Sequence, residues 1–304
     1  IEKFFETFFR FSLIKSFIIL KKEIDLIFLS NNYYDFVFKK YKIINWIPDF
    51  QFMHLTNLYS KKQLNKELIN VDKSLRKSNS ILLSSNDARK DLKMFFPEFL
   101  KKSFVVNFVS QTNIFNVNES FNLKKYTKQR FFYLPNQFWV HKNHMVVFKS
   151  IKILKEKNIN VKLLVSGNMS DFRGKSDYLN NLIDYIKFHN LDKSIKLLGE
   201  IPYNDVLQLI KNSIAVINPS FFEGWSSTVE ESKSINKLII LSSINVHREQ
   251  NPKHSIYFNP KNEIELASIM EKTILNPPKF VFEPIKNIND LDLRTKDFSE
   301  NLFN

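Results

Sequence analysis

With 304 residues, 43% of them hydrophobic and 25% charged, the chain has the composition of a globular protein long enough for two domains. It contains no cysteine, which excludes disulfides and thiolate chemistry, and its six histidines form no HExxH or HxH pattern, so no metal is expected. The formal net charge is +14, of which residues 1–130 carry about +11 and residues 131–304 about +3. Two explanations stay open: a lysine-rich composition, or attraction to an anionic partner, for which a membrane is favoured over nucleic acid because no nucleic-acid-binding motif is present.

The chain opens with an apolar run, residues 4–20, that predicts a helix. Arg10 and Lys15 interrupt this run before it reaches the roughly 20 apolar residues that a membrane span needs. The run also lacks the basic start and small-residue cleavage site of a signal peptide. We therefore expect a buried or interfacial helix and, because the chain begins at Ile1, a missing N-terminal segment.

The first half alternates short apolar runs with amphipathic ones, which predicts strands and helices in turn. The strands are predicted over residues 24–30, 42–48, 81–85 and 103–110, and the helices over residues 60–78 and 86–96. Residues 111–129 are polar and without periodicity, and they are the best candidate for a linker.

The alternation restarts after the linker and is more regular. Strands are predicted over residues 131–136, 161–167, 194–200, 214–220, 238–243 and 255–260, and helices over residues 141–157, 177–190, 202–212, 227–236 and 262–275. Such alternation predicts parallel βαβ units, and hence an α/β protein with two Rossmann-like domains. Because ligands of open parallel sheets bind at the carboxyl ends of the strands, functional residues are expected directly after the strands.

Glycine is scarce, which makes its positions informative. Of the four glycines, Gly167, Gly199 and Gly224 follow predicted strands of the second half. A chain so poor in glycine is expected to keep it where the backbone comes close to something else. Neither GxGxxG nor GxxxxGK[ST] occurs, which excludes the common dinucleotide fingerprint and the P-loop.

The segment 218–234, NPSFFEGWSSTVEESKS, places Glu223 and Glu231 eight residues apart on either side of a predicted helix start. The free amides of a helix N-terminus favour an anion such as a diphosphate. Carboxylates beside that anion would suit the vicinal hydroxyls of a sugar or ribose. The alternative is an ordinary surface helix whose acidic start is stabilised by the helix dipole.

The same region resembles the retaining glycosyltransferases of family 4, which have the GT-B fold. The resemblance rests on Pro-Ser, Glu-Gly, the second glutamate and VHRE within residues 219–249, and on four further segments: YLPNQFWVHKNH (133–144), KLLGEIPYNDVLQLIKNS (196–213), IPDFQFMHLTNLYS (47–60) and SSNDARKDLKMFFP (84–97). It covers roughly residues 40 to 275. It implies two Rossmann-like domains whose parallel sheets face each other across a cleft: an acceptor-side domain at 1–124, a donor-binding domain at 125–284, and a tail at 285–304 that packs back on the first domain.

The resemblance also implies roles for single residues. Glu223, Lys142 and His54 would be catalytic: Glu223 binds the donor sugar's hydroxyls, Lys142 neutralises the diphosphate, and His54 points at the donor sugar from the first domain. Glu231 would bind the ribose. The other donor-binding residues would be Gly224, Trp225, Ser226, Ser227 and Thr228 at the diphosphate, Gly199, Glu200 and Ile201 beside the base, and Asn136 and Gln137 where the family often has an arginine.

The function implied is a retaining hexosyltransferase that moves a sugar from a nucleotide-diphosphate sugar to a glycan or lipid-linked acceptor in surface polysaccharide synthesis. No cofactor or metal would be needed, and the enzyme would be cytoplasmic, peripheral on the inner face of the membrane. Two alternatives stay open. One is a nucleotide-sugar epimerase of the same fold, which would form product without an acceptor. The other is a non-catalytic sugar-binding component of a polysaccharide assembly complex.

Overall fold

The computed structural model describes residues 26–30, 41–110, 130–170, 177–277 and 284–303. The chain divides into two units, Ile1–Asn107 and Phe108–Asn304. The predicted helix at 4–20, the predicted linker at 111–129 and the predicted boundary at residue 124 lie outside the described residues. The domain limits therefore stay a prediction.

The first unit contains a four-stranded parallel sheet in the order β1-β2-β3-β4. The strands are β1 Leu26–Ser30, β2 Lys42–Ile47, β3 Ser80–Leu83 and β4 Ser103–Val105. The helices are α1 Gln51–His54, α2 Lys61–Lys77 and α3 Asn86–Phe95, with 3-10 turns at Thr56–Leu58 and Pro97–Lys102.

Local side chains define where the helices of this unit begin. Ser60 and Gln63 form a reciprocal capping box at the start of α2, and the Ser85 hydroxyl accepts a hydrogen bond from the Ala88 amide at the start of α3. The helices pack on the sheet through a buried apolar cluster that includes Leu75 and Leu92. The first unit therefore has a core of its own.

The second unit contains a six-stranded parallel sheet in the order β10-β9-β8-β5-β6-β7. Its strands are β5 Phe132–Pro135, β6 Leu163–Ser166, β7 Ile195–Gly199, β8 Val216–Asn218, β9 Ile239–Ser242 and β10 Ser255–Phe258. Its helices are α4 His144–Glu156, α5 Asp177–Phe188, α6 Tyr203–Asn212, α7 Ser227–Ser234, α8 Asn245–Gln250, α9 Glu263–Leu275 and α10 Pro284–Phe303, and residues Val140–Lys142 form a 3-10 turn.

This strand order reverses direction between β5 and β8. The chain runs from β5 outward through β6 to β7, then returns to add β8, β9 and β10 on the other side of β5. That is the doubly wound order, in which the crevice outside the carboxyl ends of the two central strands binds ligands. The middle strands are buried on both faces, as Leu163, Leu164 and Val165 of β6 show with at most 5% exposure.

The predicted strands and helices that fall on described residues are all present, and each has fewer residues than predicted. Three helices were missed. The four-residue α1 and the six-residue α8 are too short to show helical periodicity, and α10 lies in the segment predicted as a tail. α10 contacts α7 within the second unit. Among the described residues, no helix has both the length and the apolar character needed to cross a membrane.

Asparagine supplies the left-handed backbone positions of the second unit. Among the described residues, the non-glycine residues with positive φ are all asparagines: Asn143, Asn158, Asn190, Asn236 and Asn251. Four of them follow the ends of helices, where a left-handed residue commonly terminates a helix. Asparagine tolerates this conformation better than other non-glycine residues.

Gly167, by contrast, is required by contact. A Cβ atom at this position would lie 2.3 Å from the Asn136 carbonyl oxygen, and φ is +150°. The expectation that glycine marks a close backbone approach is confirmed here, where the loops after β5 and β6 meet.

We predict that Gly167→Ala lowers the free energy of unfolding by about 3 kcal/mol, because the new methyl group overlaps backbone atoms. Gly199→Ala is the matched control. It has a positive φ of +71°, but its Cβ would meet only the Met169 side chain at 3.9 Å. The control should lose about 1 kcal/mol. Urea denaturation measures both values, and equal losses would contradict the contact argument.

Candidate donor-binding site

A pocket of about 390 Å³ opens at the carboxyl edge of the six-stranded sheet, where the loops after β5, β6, β7 and β8 converge. Eleven of the predicted site residues line it: Asn136, Gln137, Lys142, Glu200, Ile201, Glu223, Trp225, Ser226, Ser227, Thr228 and Glu231. They come from three separate stretches of the chain. The doubly wound order brings these stretches together at its switch point.

The central interaction of the pocket is an ion pair between Lys142 and Glu223. The Lys142 Nζ atom lies 2.8 Å from both Glu223 carboxylate oxygens, and the two side chains are only 14% and 8% exposed. The Ser220 hydroxyl donates to Glu223 Oε1 at 2.6 Å. Burial alone would raise the pKa of Glu223, but the Lys142 ammonium and these hydrogen bonds lower it to about 2. Glu223 is therefore ionised at neutral pH.

Asn143 holds the lysine in place. It adopts a left-handed conformation, and its side-chain amide donates to the carbonyl oxygens of Pro219 at 3.0 Å and Pro260 at 2.8 Å. The Phe221 amide donates to the His141 carbonyl at 2.8 Å. His141 and Asn143, the two neighbours of Lys142 in the chain, therefore connect the loop that carries Lys142 to the loop that carries Glu223.

Glu231 has a contrasting environment. It is 8% exposed, and the hydrogen bond identified to its carboxylate comes from the Tyr203 hydroxyl at 3.1 Å. Burial raises the pKa of Glu231 to about 7 and that of Tyr203 to about 12. Tyr203 therefore remains a donor at neutral pH, while Glu231 changes charge within the physiological range.

Ser226 is the N-cap residue of α7 and lies between the two glutamates in the chain. Its hydroxyl accepts a hydrogen bond from the Val229 amide at 3.4 Å and another from the Asn218 side chain at 2.9 Å. Asn218 in turn accepts from Asn136 at 3.2 Å. The first amides of a helix lack intrahelical acceptors, and Ser227 and Thr228, the first two residues of α7, line the pocket.

His247, in the VHRE segment, is fully buried beside this arrangement. Its Nδ1 atom lies 3.0 Å from the Ser242 carbonyl oxygen, to which it donates. Burial lowers the pKa of His247 to about 4, against an opposing effect of Glu223, so the ring is neutral at pH 7. Its Nε2 atom has no hydrogen-bond partner within the part of the chain that the structure describes.

Comparison with known proteins assigns the family. Residues 116–288, more than half of the chain, match the model of the Glycosyl transferases group 1 family. The chain belongs to this family.

Two curated relatives of this group 1 glycosyltransferase are named for polysaccharide synthesis. The chain is 28% identical over 259 residues to the capsular polysaccharide biosynthesis glycosyltransferase CapH of Staphylococcus aureus. That match covers 81% of this chain and 67% of the relative. The chain is 26% identical over 165 residues to the O-antigen chain mannosyltransferase RfbU of Salmonella typhimurium, and this match covers 54% of this chain and 44% of the relative. The chain thus spans about two thirds of one relative and less than half of the other.

A solved structure confirms the fold. HepE of Anabaena, in a complex with UDP and glucose, superposes with a TM-score of 0.65 at 15% sequence identity, covering 85% of this chain and 68% of HepE. At this identity the likeness concerns the fold alone. The predicted α/β architecture of the GT-B type, with two parallel sheets, is confirmed.

Three predicted residues of the group 1 glycosyltransferase lie outside the pocket lining. Gly224 follows Glu223 in the turn before α7, and Gly199 ends β7, where its carbonyl accepts from the Gly167 amide at 2.9 Å. His54 belongs to the first unit. The functional roles of all three stay predictions.

His54 has a partner that sequence reasoning missed. Its Nε2 atom lies 2.8 Å from the Asp91 carboxylate on α3, and the ring packs edge-on against Phe95. Burial raises the pKa of Asp91, while the contact with His54 opposes that rise. A carboxylate that holds a histidine sets the orientation and tautomer of its ring. Asp91 could not be found from spacing, because 37 positions separate it from His54.

The pocket also includes residues that were not predicted: Pro135, Ser166, Gly167, Asn168, Tyr203 and Val206. The glycine directly after β6 was a usable signal, because the chain has only four glycines. The two residues found where the family often has an arginine have structural contacts. Asn136 donates to Asn218, and the Gln137 side chain accepts from the Asn168 amide at 2.7 Å. Within the described lining, Lys142 is the only cation.

We predict opposite pH effects of the two glutamates on stability. The folded-state pKa of Glu231, about 7, lies above its ordinary value of 4.5, so its stabilising contribution is present below pH 4.5 and is lost as the pH rises through 7. The free energy of unfolding of the wild type, relative to Glu231→Gln, should fall by roughly 3 kcal/mol from pH 4.5 to 8. Urea denaturation across this range measures the difference.

Glu223→Gln is the control. The folded pKa of Glu223, about 2, lies below 4.5, so its contribution is present above pH 4.5 and is lost only as the pH falls toward 2. The difference between wild type and Glu223→Gln should therefore stay constant from pH 5 to 8. A constant difference for Glu231→Gln as well would contradict the raised pKa.

Proposed function

We propose that the chain is a retaining glycosyltransferase of family 4 that transfers a hexose from a nucleotide-diphosphate sugar to a glycan or lipid-linked acceptor in surface polysaccharide synthesis. The observation that carries this proposal is the pocket, in which Lys142, Glu223, Glu231 and the start of α7 lie together at the switch point of the sheet. Membership of the group 1 family and the names of the two curated relatives support it. The UDP and glucose bound by HepE support a nucleotide sugar as donor.

In this proposal the diphosphate binds at the N-terminus of α7. The first-turn amides of Ser227 and Thr228 provide hydrogen-bond donors, and the positive end of the helix dipole favours an anion. Lys142 adds a full positive charge. When the bond between the sugar and the diphosphate breaks, negative charge builds up on the leaving diphosphate, and Lys142 stabilises it. With these groups in place, we propose that transfer requires no metal ion.

Glu223 is suited to the sugar and Glu231 to the ribose. Glu223 is ionised through its contact with Lys142 and can accept hydrogen bonds from sugar hydroxyls. Glu231 is the more weakly satisfied carboxylate, and two hydroxyls of a ribose would supply the hydrogen bonds that its ionised form lacks. Ile201 and Val206 line the same pocket and offer apolar contact for the base. Ribose binding should therefore lower the pKa of Glu231.

The function is tested by two substitutions in a nucleotide-sugar transfer assay. Glu231→Gln should weaken binding of the nucleoside diphosphate about tenfold, because the charged acceptor for the ribose hydroxyls is lost. Lys142→Ala should lower kcat/KM by two to three orders of magnitude, because the leaving diphosphate loses its charge partner. Calorimetry with UDP and GDP measures the first effect, and transfer from the matching sugar nucleotides, with and without EDTA, measures the second.

The controls separate this function from the alternatives. Glu265→Gln changes a partly exposed carboxylate on α9, outside the pocket lining, and should leave both quantities unchanged. Product formed without any acceptor would identify an epimerase, and sugar binding without turnover would identify a non-catalytic component. A Lys142→Ala variant with wild-type kcat/KM would place the diphosphate elsewhere, and loss of activity in EDTA would contradict the metal-free proposal.

We further propose that the enzyme works in the cytoplasm, peripheral on the anionic inner face of the membrane. The support is in the first unit, where α3 exposes Arg89, Lys90 and Lys93 next to Met94, whose exposed fraction is 68%. α2 adds exposed lysines at both of its ends. Each basic residue near an anionic surface contributes about 1 kcal/mol, and the attraction fades within a Debye length. Such a surface would keep the enzyme beside a lipid-linked acceptor.

We predict salt-reversible binding to vesicles that contain anionic lipid. At low salt the wild type should co-sediment with phosphatidylglycerol vesicles but not with phosphatidylcholine vesicles, and high salt should release it. Replacing Arg89, Lys90 and Lys93 by Gln should abolish most of this binding, because about 3 kcal/mol of attraction is lost.

The matched control replaces Lys187, Lys196 and Lys261 by Gln. These exposed lysines of the second unit give the same change in net charge. The control should still bind. If both triple variants bind equally weakly, net charge alone accounts for binding, and equal binding to neutral vesicles would contradict the proposal altogether.

A further inference from the structure

Glu230, the residue before Glu231 on α7, is a buried charge outside the pocket. Its side chain is 1% exposed, and both carboxylate oxygens are occupied. Oε2 lies 2.9 Å from Arg294 Nη1. Oε1 accepts from Lys233 Nζ and from Gln250 Nε2, each at 3.1 Å. This carboxylate therefore joins α7 both to α8, which ends at Gln250, and to α10, which carries Arg294.

The Arg294 side chain is held beside Glu230 by further contacts. The side chain is 15% exposed, although α10 lies at the end of the chain. Besides the contact with Glu230, Nη2 donates to the Ser234 hydroxyl and Nε to Asp290, each at 3.0 Å. A guanidinium whose three nitrogens each have a separate partner is held in one orientation. Arg294 therefore fixes α10 against two residues of α7.

Gln250 carries the connection on to the pocket. Its Nε2 atom lies 3.0 Å from the Ser226 carbonyl oxygen, and its Oε1 atom accepts from the Ser226 amide at 3.1 Å. One side chain thus contacts both the amide and the carbonyl of Ser226, the N-cap residue of α7, which lines the pocket. The Ser226 carbonyl also accepts from the Glu230 amide at 3.2 Å, as the first hydrogen bond of the helix. A continuous path of hydrogen bonds runs from Arg294 through Glu230 and Gln250 to Ser226.

Stability alone does not account for a carboxylate at this position. Removing a carboxylate and its cation from water costs several kcal/mol, and apolar residues of similar size usually stabilise a protein at least as well as a buried ion pair. Hydrogen bonds depend on the orientation of donor and acceptor, whereas apolar contacts do not. The Glu230 carboxylate orients the Gln250 amide, and that amide defines the position of the Ser226 backbone.

We propose that Arg294, Glu230 and Gln250 are positioning residues that hold the first turn of α7 in the geometry that binds the donor's diphosphate. This inference rests on the proposed function of the pocket. None of the three lines the pocket, and each acts through Ser226. The C-terminal helix α10 is accordingly part of the donor-binding machinery.

The test compares Arg294→Met and Gln250→Met with Asp290→Asn as the control. The two Met variants interrupt the path at either end. Asp290→Asn removes an ion pair of the same arginine, in which the Asp290 side chain is 61% exposed, and leaves the path intact. UDP and GDP serve as probes in calorimetry, at a temperature where circular dichroism shows each variant folded. We expect each Met variant to bind the probe about tenfold more weakly, with KM for the donor raised to match and kcat nearly unchanged. The control should stay within twofold of the wild type.

A double variant separates positioning from stability. Glu230→Leu with Arg294→Met replaces the ion pair by apolar side chains, so its thermal midpoint should be at or above that of the wild type, and it remains folded if Arg294→Met alone does not. Its affinity for the probe should stay about tenfold low, because the Gln250 amide is no longer oriented. Wild-type affinity in this double variant or in Gln250→Met overturns the inference. A wild type that binds no nucleoside diphosphate contradicts the proposed function instead.

Discussion

The buried ion pair between Lys142 and Glu223 is the interaction on which the pocket depends. It joins the loop after β5 to the loop after β8, the two strands between which the sheet reverses direction. A buried pair of charges stabilises a protein only when its remaining hydrogen bonds are satisfied. Ser220 satisfies the carboxylate, and Asn143 fixes the backbone beside the lysine. The strand order therefore creates the crevice, and the ion pair holds two charged side chains in fixed positions in its lining.

The same short segment places two carboxylates in opposite electrostatic states. Glu223 is stabilised as an anion by a lysine, whereas burial without a cation raises the pKa of Glu231 to about 7. Pairs of titratable groups whose environments separate their pKa values commonly have different roles in a site. Here the difference comes from position alone. Glu223 lies in the turn that faces Lys142, and Glu231 lies one helical turn inside α7, where Tyr203 is its hydrogen-bond donor.

The sequence predicts those features that depend on local pattern. Alternating apolar runs indicated the strands and helices, and the rule that ligands bind at strand ends pointed to the segment with Glu223 and Glu231. Most of the other lining residues came from the resemblance to a known family. The contacts that depend on the folded chain were missed. Asp91 meets His54 only after β3 and α3 have packed, and Arg294 meets Glu230 across 64 positions. Neither contact has a spacing that periodicity or a motif could reveal.

The asparagines at the helix ends reduce the conformational entropy that the chain loses on folding. Glycine adopts a left-handed backbone without strain, but it gives the unfolded chain more freedom, which folding must remove. Asparagine restricts the unfolded chain and accepts some strain in the folded one. By using Asn158, Asn190, Asn236 and Asn251 as helix terminators, the second unit reaches its turns with less loss of chain entropy on folding. The connections from these helices to the following strands are correspondingly stiffer than glycine turns would be, and they stiffen the edge of the sheet opposite the pocket.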